Sequence, residues 1–182
     1  MGSVESLRGK LLIAGPNLFD PNFRRSILLI ADHDDQGAVG VILNRPAEVS
    51  VTEAAPELGA LVGPEEPLFI GGPVQPQAAV VVAEFHDPEQ ASILAFGSIG
   101  FVAGGDPTAV EGIRRARVFA GYAGWGAGQL DQEMEQDSWL IEPALPEDVF
   151  TPNARGLWAS VLRRKGRDYR LLETMPFDPS SN

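Results

Sequence analysis

Apolar positions in this chain come in short runs broken by glycine and proline, a pattern of strands bounded by turns rather than of long helices. "GKLLIAGP" (9–16) predicts a first strand closed at Gly15-Pro16. "NLFDPNFRR" (17–25) predicts a rigid connection in which Asn17, Asp20 and Asn22 bond their own backbone. "SILLIADHDDQGAVGVILNRP" (26–46) predicts two strands around a polar hairpin tip, with Gly37 where a positive φ is needed. "PLFIGGPV" (67–74), "AAVVVAEF" (78–85), "SILAFGSIGFVAG" (92–104), "RVFAGYAGW" (117–125), "SWLIEPA" (138–144) and "RDYRLLETMP" (167–176) predict further strands.

Helical patterns are fewer. Ser50 precedes Glu53 at capping-box spacing, but Pro56 sits too deep for that helix and predicts one that is short or starts later. "DPTAVEGIRRA" (106–116) predicts a helix with Asp106 as N-cap and Pro107 in its first turn. "GQLDQEMEQD" (128–137) predicts a short helix, and "NARGLWASVLRRK" (153–165) an amphipathic one that buries Leu157, Val161 and Leu162 beside Trp158. Clustered strands with irregular helices between them predict an α+β fold, not a regular parallel α/β sheet.

The 182 residues suit one domain, taken as 9–176 between flexible ends at 1–8 and 177–182. At 44% hydrophobic and 21% charged the composition is globular, with neither an apolar run of spanning length nor a basic-then-apolar leader, so the expected location is the cytoplasm. The absence of cysteine excludes disulfides, thiolate metal sites and cysteine nucleophiles. A net charge of −11 opposes nucleic-acid binding. The basic runs "RRAR" (114–117) and "RRKGR" (163–167) are read as solvated ends of helices.

The densest unusual run is "GYAGWGAGQLDQEM" (121–134). Its glycines do not meet the dinucleotide spacing, no Lys-Ser or Lys-Thr follows to make a P-loop, and no serine sits at the turn to make a nucleophile elbow. Gly121 and Gly124 are therefore read as allowing close approach of another main chain, with Tyr122 and Trp125 closing the gap. If the Asn44-Arg45 turn, the Gly71-Gly72 turn and the 121–128 turn converge, they form a polar cleft; its expected ligand contacts are Asn44, Arg45, Gly71, Gly72, Tyr122, Trp125, Gly126, Gly128 and Gln129. His33 is read as part of a hairpin tip, on the opposite side of its strand from Asp32 and Asp34, and His86 as a turn residue. Glu133 and Asp137 are read as a solvated helix face, Trp139 and Trp158 as core. No catalytic residue, metal site or cofactor is expected.

"GYAGWGAGQLDQEM" followed by "DSWL" resembles the hallmark segment of the AlgH-like (YqgE) family of small bacterial proteins. "GKLLIAGPNLFDPNFRRSILLI", "DHDDQGAVGVILNRP", "FIGGPV" and "LWASVLRRKG" match it in the same order, over nearly the whole chain. Asp131 stands where glutamate is expected and Asp137 where asparagine is usual. The resemblance implies a single α+β domain whose bifurcated, mainly antiparallel sheet curls into a pseudo-barrel with flanking helices. The family's activity is not established, and its name comes from a proposed transcriptional role in alginate production. The expectation is a non-enzymatic protein acting through contacts with a protein or a small anionic ligand in a regulatory role. A transcriptional regulator and an enzyme acting on a small anionic substrate are the alternatives.

Overall fold

The Leu-, Ile- and Val-rich runs pair into one sheet in the computed structural model, which describes residues 6–15, 18, 20, 21, 23–102 and 111–166. Its strands are β1 (Lys10–Ala14), β2 (Ile27–Asp34), β3 (Gly37–Ile42), β4 (Pro46–Ser50), β5 (Pro67–Ile70), β6 (Val74–Phe85), β7 (Ile93–Phe96), β8 (Ile99–Val102), β9 (Ile113–Trp125) and β10 (Trp139–Pro143). Eight of the ten follow the order β10-β1-β2-β3-β9-β6-β8-β7. All pairings are antiparallel except that of β5 with β9.

The sheet forks at β9. At Phe119 and Ala120 this strand bonds β6 on one edge and β5 on the other, and from Ala123 to Trp125 it bonds β3. One 13-residue strand thus joins a β10-β1-β2-β3 half to a β6-β8-β7 half, with the β4–β5 pair in the fork. The sheet is not closed. Its β7 end leans towards β2 so nearly that a Cβ on Gly9 would collide with the Ala95 carbonyl.

Alternation along the strands builds three apolar layers. Leu11, Ile13, Ile27, Leu29, Val41, Val82, Phe101 and Phe119 face inward, where they meet Leu157, Trp158, Val161 and Leu162 of the helix α4 (Leu157–Lys165). Leu12, Leu28, Ile30 and Ile42 face outward beneath Leu130 of α2 (Gln129–Glu135). Val81, Ala83, Ala116 and Val118 form the outer face of the other half, covered by Val51 of α1 (Val51–Ala54) and Leu58 of the 3₁₀ turn Pro56–Leu61. β1 and β2 are therefore buried on both faces, and each fully buried Leu or Ile there contributes about 1.5–3 kcal/mol.

Gly121 reverses the alternation of β9. Before it, odd residues (Phe119) point inward and even ones (Val118) outward; after it, Tyr122 points inward while Ala123 and Trp125 point outward. At φ +74° it occupies the left-handed region that favours glycine, opposite the place where β6 runs out of register between Val74 and Ala79.

Local expectations mostly hold. The Ser50 hydroxyl accepts from Glu53 N at 3.1 Å, and α1 stops before Pro56, which starts the 3₁₀ turn. At the β2–β3 hairpin tip, Asp34 accepts from Gln36 N at 2.8 Å. The helix expected over 106–116 needs correction in part. Ile113–Ala116 belong to β9, because pairing with Phe85, Glu84 and Ala83 of β6 overrides the helical propensity of "IRRA". Its cap at Asp106-Pro107 and the strand expected at 167–176 lie outside the described residues. "RRAR" is accordingly in a strand, whereas Arg163, Arg164 and Lys165 do occupy the last turn of α4. A short helix α3 (Pro146–Val149) precedes α4.

The outer edge of the end strand β10 is occupied. Lys165 Nζ donates to Ile141 O at 2.6 Å and Arg164 Nη2 to Pro143 O at 3.3 Å. The Arg164 guanidinium also clasps the buried Asp148 carboxylate through two 2.8 Å bonds, which raise its affinity for a proton. No helix among the described residues is long and apolar enough to cross a membrane.

Candidate functional site

The turns at Asn44-Arg45, Gly71-Gly72 and Gly121-Tyr122 come together as main chain. Ile70 N donates to Arg45 O, Gly71 N to Ala120 O and Ile42 N to Gly71 O, each at 2.8 Å. A Cβ on Gly121 would stand 2.6 Å from Gly72 O and 2.9 Å from Val74 O. One on Gly71 or Gly72 would collide with the backbone of Gly121 or Tyr122. Gly124, by contrast, has nothing nearer than 3.8 Å, so close approach rests on Gly121 and not on Gly124.

The polar groups at this junction serve the chain itself. Asn44 accepts from Ile27 N at 3.0 Å and donates to Arg25 O at 2.9 Å, clasping the segment that enters β2. Arg45 Nη2 donates to Arg24 O at 3.1 Å, and burial pulls the Arg45 guanidinium below its ordinary value.

Trp125, Gly126, Gly128 and Gln129 lie beyond that junction, at the far end of β9. Gln129 accepts from Gly126 N and donates to Glu133, both at 3.0 Å. Glu133 Oε1 also accepts from the indole N–H of Trp125 at 3.1 Å and of Trp139 at 2.8 Å. Phe23 stacks on Trp125 and meets Trp139 edge-on. Glu133 is therefore the acceptor that lets two tryptophans be buried, a correction to its reading as a solvated group; only the fold brings Trp139 back beside Trp125. Gly128 sits at φ +73° in open space before α2.

His33 is buried while Asp32 and Asp34 beside it are not. Its Nδ1 accepts from Leu7 N at 3.0 Å, and its Nε2 faces Asp131 at 3.2 Å. This ties β2 to α2 and the N-terminal segment. Among the described residues no group of His, Asp and Glu has metal-site geometry.

An open space lies elsewhere, on the concave face of the sheet beyond α4. A chamber of about 330 Å³ is lined by Ala31 and Val41, by Ala79, Val80 and Phe101, and by Tyr122 of β9, among others. That volume is at the lower end of small-molecule sites. Of the residues expected to bind a ligand, Tyr122 lines it, its side chain turned inward just after the left-handed Gly121. Its hydroxyl is the single polar side-chain atom among the lining residues. The others went unnoticed in the sequence because alanines, valines and isoleucines from five strands read as ordinary core.

Beneath β9 is a second depression, of about 360 Å³, between the 61–66 loop and Phe150. Arg117 is buried at its base. It bonds Glu66 at 3.1 Å, Val149 O at 3.0 Å and Thr151 O at 2.5 Å, and lies over the Phe69 ring. Burial pulls its guanidinium below the ordinary value, and Glu66 opposes that shift.

The sequence profile described as AlgH-like matches residues 11–170. A Mycobacteroides abscessus protein named UPF0301 is 44% identical, over 96% of this chain and 87% of its own length. A Streptomyces avermitilis UPF0301 protein is 40% identical over 100% of this chain and 98% of its own. Among solved structures, a Corynebacterium diphtheriae protein superposes with a TM-score of 0.82 at 33% identity, over 96% of this chain and 95% of that one. The solution structure of the AlgH protein from Pseudomonas aeruginosa superposes with a TM-score of 0.72 at 29% identity, over 97% of both chains.

Proposed function

The chain belongs to the AlgH-like family, and on that footing we propose that it is a non-catalytic ligand-binding domain whose site is the chamber on the concave face of its sheet. The observation that carries this reading is the roughly 330 Å³ of space lined almost wholly by apolar side chains. The chemistry of the lining argues against catalysis there. Tyr122 alone supplies a polar side chain, so no nucleophile, acid–base pair or oxyanion donor set is assembled. Occupancy would brace the two halves of the sheet against each other, which gives a bound molecule the means to act on a partner in a regulatory role.

Ligand-observed NMR with a library of small apolar and aromatic compounds tests this. Binders are expected, and Ala79→Trp at the chamber lining should abolish their binding while leaving the midpoint of thermal unfolding in place. A ligand at about 100 times its Kd should stabilise the protein by about 2.7 kcal/mol. Absence of binders, or binders indifferent to Ala79→Trp, would refute the proposal.

A further inference from the structure

We propose that the depression beneath β9 is a binding site for a small molecule bearing an oxyanion, held by Arg114 and Arg115. It is separate from the chamber and does not depend on it. Three arginines fall within four positions of β9, in a chain whose net charge is −11. Arg117 is the fixed base: each of its three bonds runs to a group of the fold. Among the described residues, Arg115 and Arg114 each hydrogen-bond through Nε alone.

Arg115 Nε bonds Glu84 at 3.1 Å, and its guanidinium carbon lies 4.3 Å from the centroid of the Phe150 ring. Arg114 Nε donates to His86 Nδ1 at 3.1 Å. This leaves the terminal Nη groups of both side chains without a hydrogen-bond partner among the described residues, at the rim of a concavity. A guanidinium held at Nε and seated over an aromatic ring loses little further freedom when its Nη edge meets an anion. Two Arg–Glu pairs neutralise two of the three positive charges, so one charge and the Nη edges are available. Planar, paired N–H donors match the oxygens of a phosphate or carboxylate. Leu61 and Val62 on the loop give the same depression an apolar wall for the body of the ligand.

The test is titration of the folded protein with pyrophosphate and, in parallel, with succinate, following the Arg Nε–H resonances by NMR at low ionic strength. Saturable shifts of Arg114 and Arg115 are expected with at least one of the two, and which one saturates distinguishes a phosphate from a carboxylate ligand. Arg114→Gln with Arg115→Gln should lower that affinity at least about tenfold, whereas Arg155→Gln, an exposed charge on another element, should leave it unchanged. Should the double variant fail to fold, Arg115→Lys supplies the test: it keeps the charge, loses the planar fork, and is expected to weaken binding. No saturation by either anion, or equal loss in Arg155→Gln, would overturn the site in favour of diffuse charge attraction.

Discussion

Substituting alanine along the glycines of 121–128 separates backbone conformation from steric contact in one strand. Gly121 combines both constraints: its φ is +74°, and a Cβ would stand 2.6 Å from Gly72 O, 2.9 Å from Val74 O and 3.0 Å from the Pro76 Cα. Holding an L-residue in the left-handed region costs about 1–2 kcal/mol, and forcing a methyl against backbone that cannot withdraw adds about 1–3 kcal/mol. Gly121→Ala should therefore destabilise by about 2–5 kcal/mol. Gly128, at φ +73° with nothing within 4 Å of a Cβ, isolates the conformational part, so Gly128→Ala should cost about 1–2 kcal/mol. Gly124 carries neither constraint, and Gly124→Ala should fall between neutral and about 1 kcal/mol stabilising, through a less disordered unfolded chain. Urea unfolding followed by tryptophan fluorescence reads all three as shifts in midpoint at constant slope. In a domain of this size the Gly121→Ala shift is also roughly 4–20 °C in Tm. If Gly121→Ala proved no worse than Gly124→Ala, the left-handed turn at Gly121 would not be what holds the fork.

Glu133→Ala removes the shared acceptor of Trp125 and Trp139, leaving two largely buried indole N–H groups unsatisfied; the expected loss is about 2–4 kcal/mol by denaturant titration, with displaced indole resonances in the proton NMR spectrum. Arg164→Ala strands the Asp148 carboxylate, which is 3% exposed, with the Leu145 N–H as its remaining partner; about 3 kcal/mol of stability should be lost, and Arg164→Lys should recover only part of it. Arg8 holds the Asp32 carboxyl below its ordinary value of 3.8, so the pair stabilises the fold above the usual aspartate range and the contribution disappears as pH falls through the lowered value. Both partners are substantially exposed, which limits the effect to about 1 kcal/mol or less; in Arg8→Ala the Asp32 carboxyl should titrate at higher pH by carbon NMR.

Much of the fold was legible because local rules and tertiary needs agree in it. The Ser50 cap, the Asp34 turn and the buried stripe of α4 each follow from spacing alone, and the family resemblance supplied the forked sheet that spacing does not fix. Residues 113–116 did not read as strand because their partners, Ala83 to Phe85, lie about thirty positions upstream and outweigh local preference. The close approach read into the glycine run has a counterpart at Gly121. Gly124 has the same composition around it but nothing nearer than 3.8 Å to a Cβ, a difference set by the fold and not by local sequence. Asn44 and Arg45 stood out as unusual polar groups, yet a sequence does not say which main-chain groups they reach: Asn44 bonds Ile27 N and Arg25 O, and Arg45 bonds Arg24 O. The chamber gave no sequence signal, because an unfilled space is a property of the side chains around it taken together.

The covered edge of β10 bears on how this protein can be handled. With Lys165 and Arg164 seated on the carbonyls of Ile141 and Pro143, another extended chain finds that border already taken. A fragment cut before Leu157 would lose both lids along with the inner apolar stripe of α4. It would present a bare strand template at the margin of a largely intact sheet, and would be expected to assemble into filaments rather than simply to unfold.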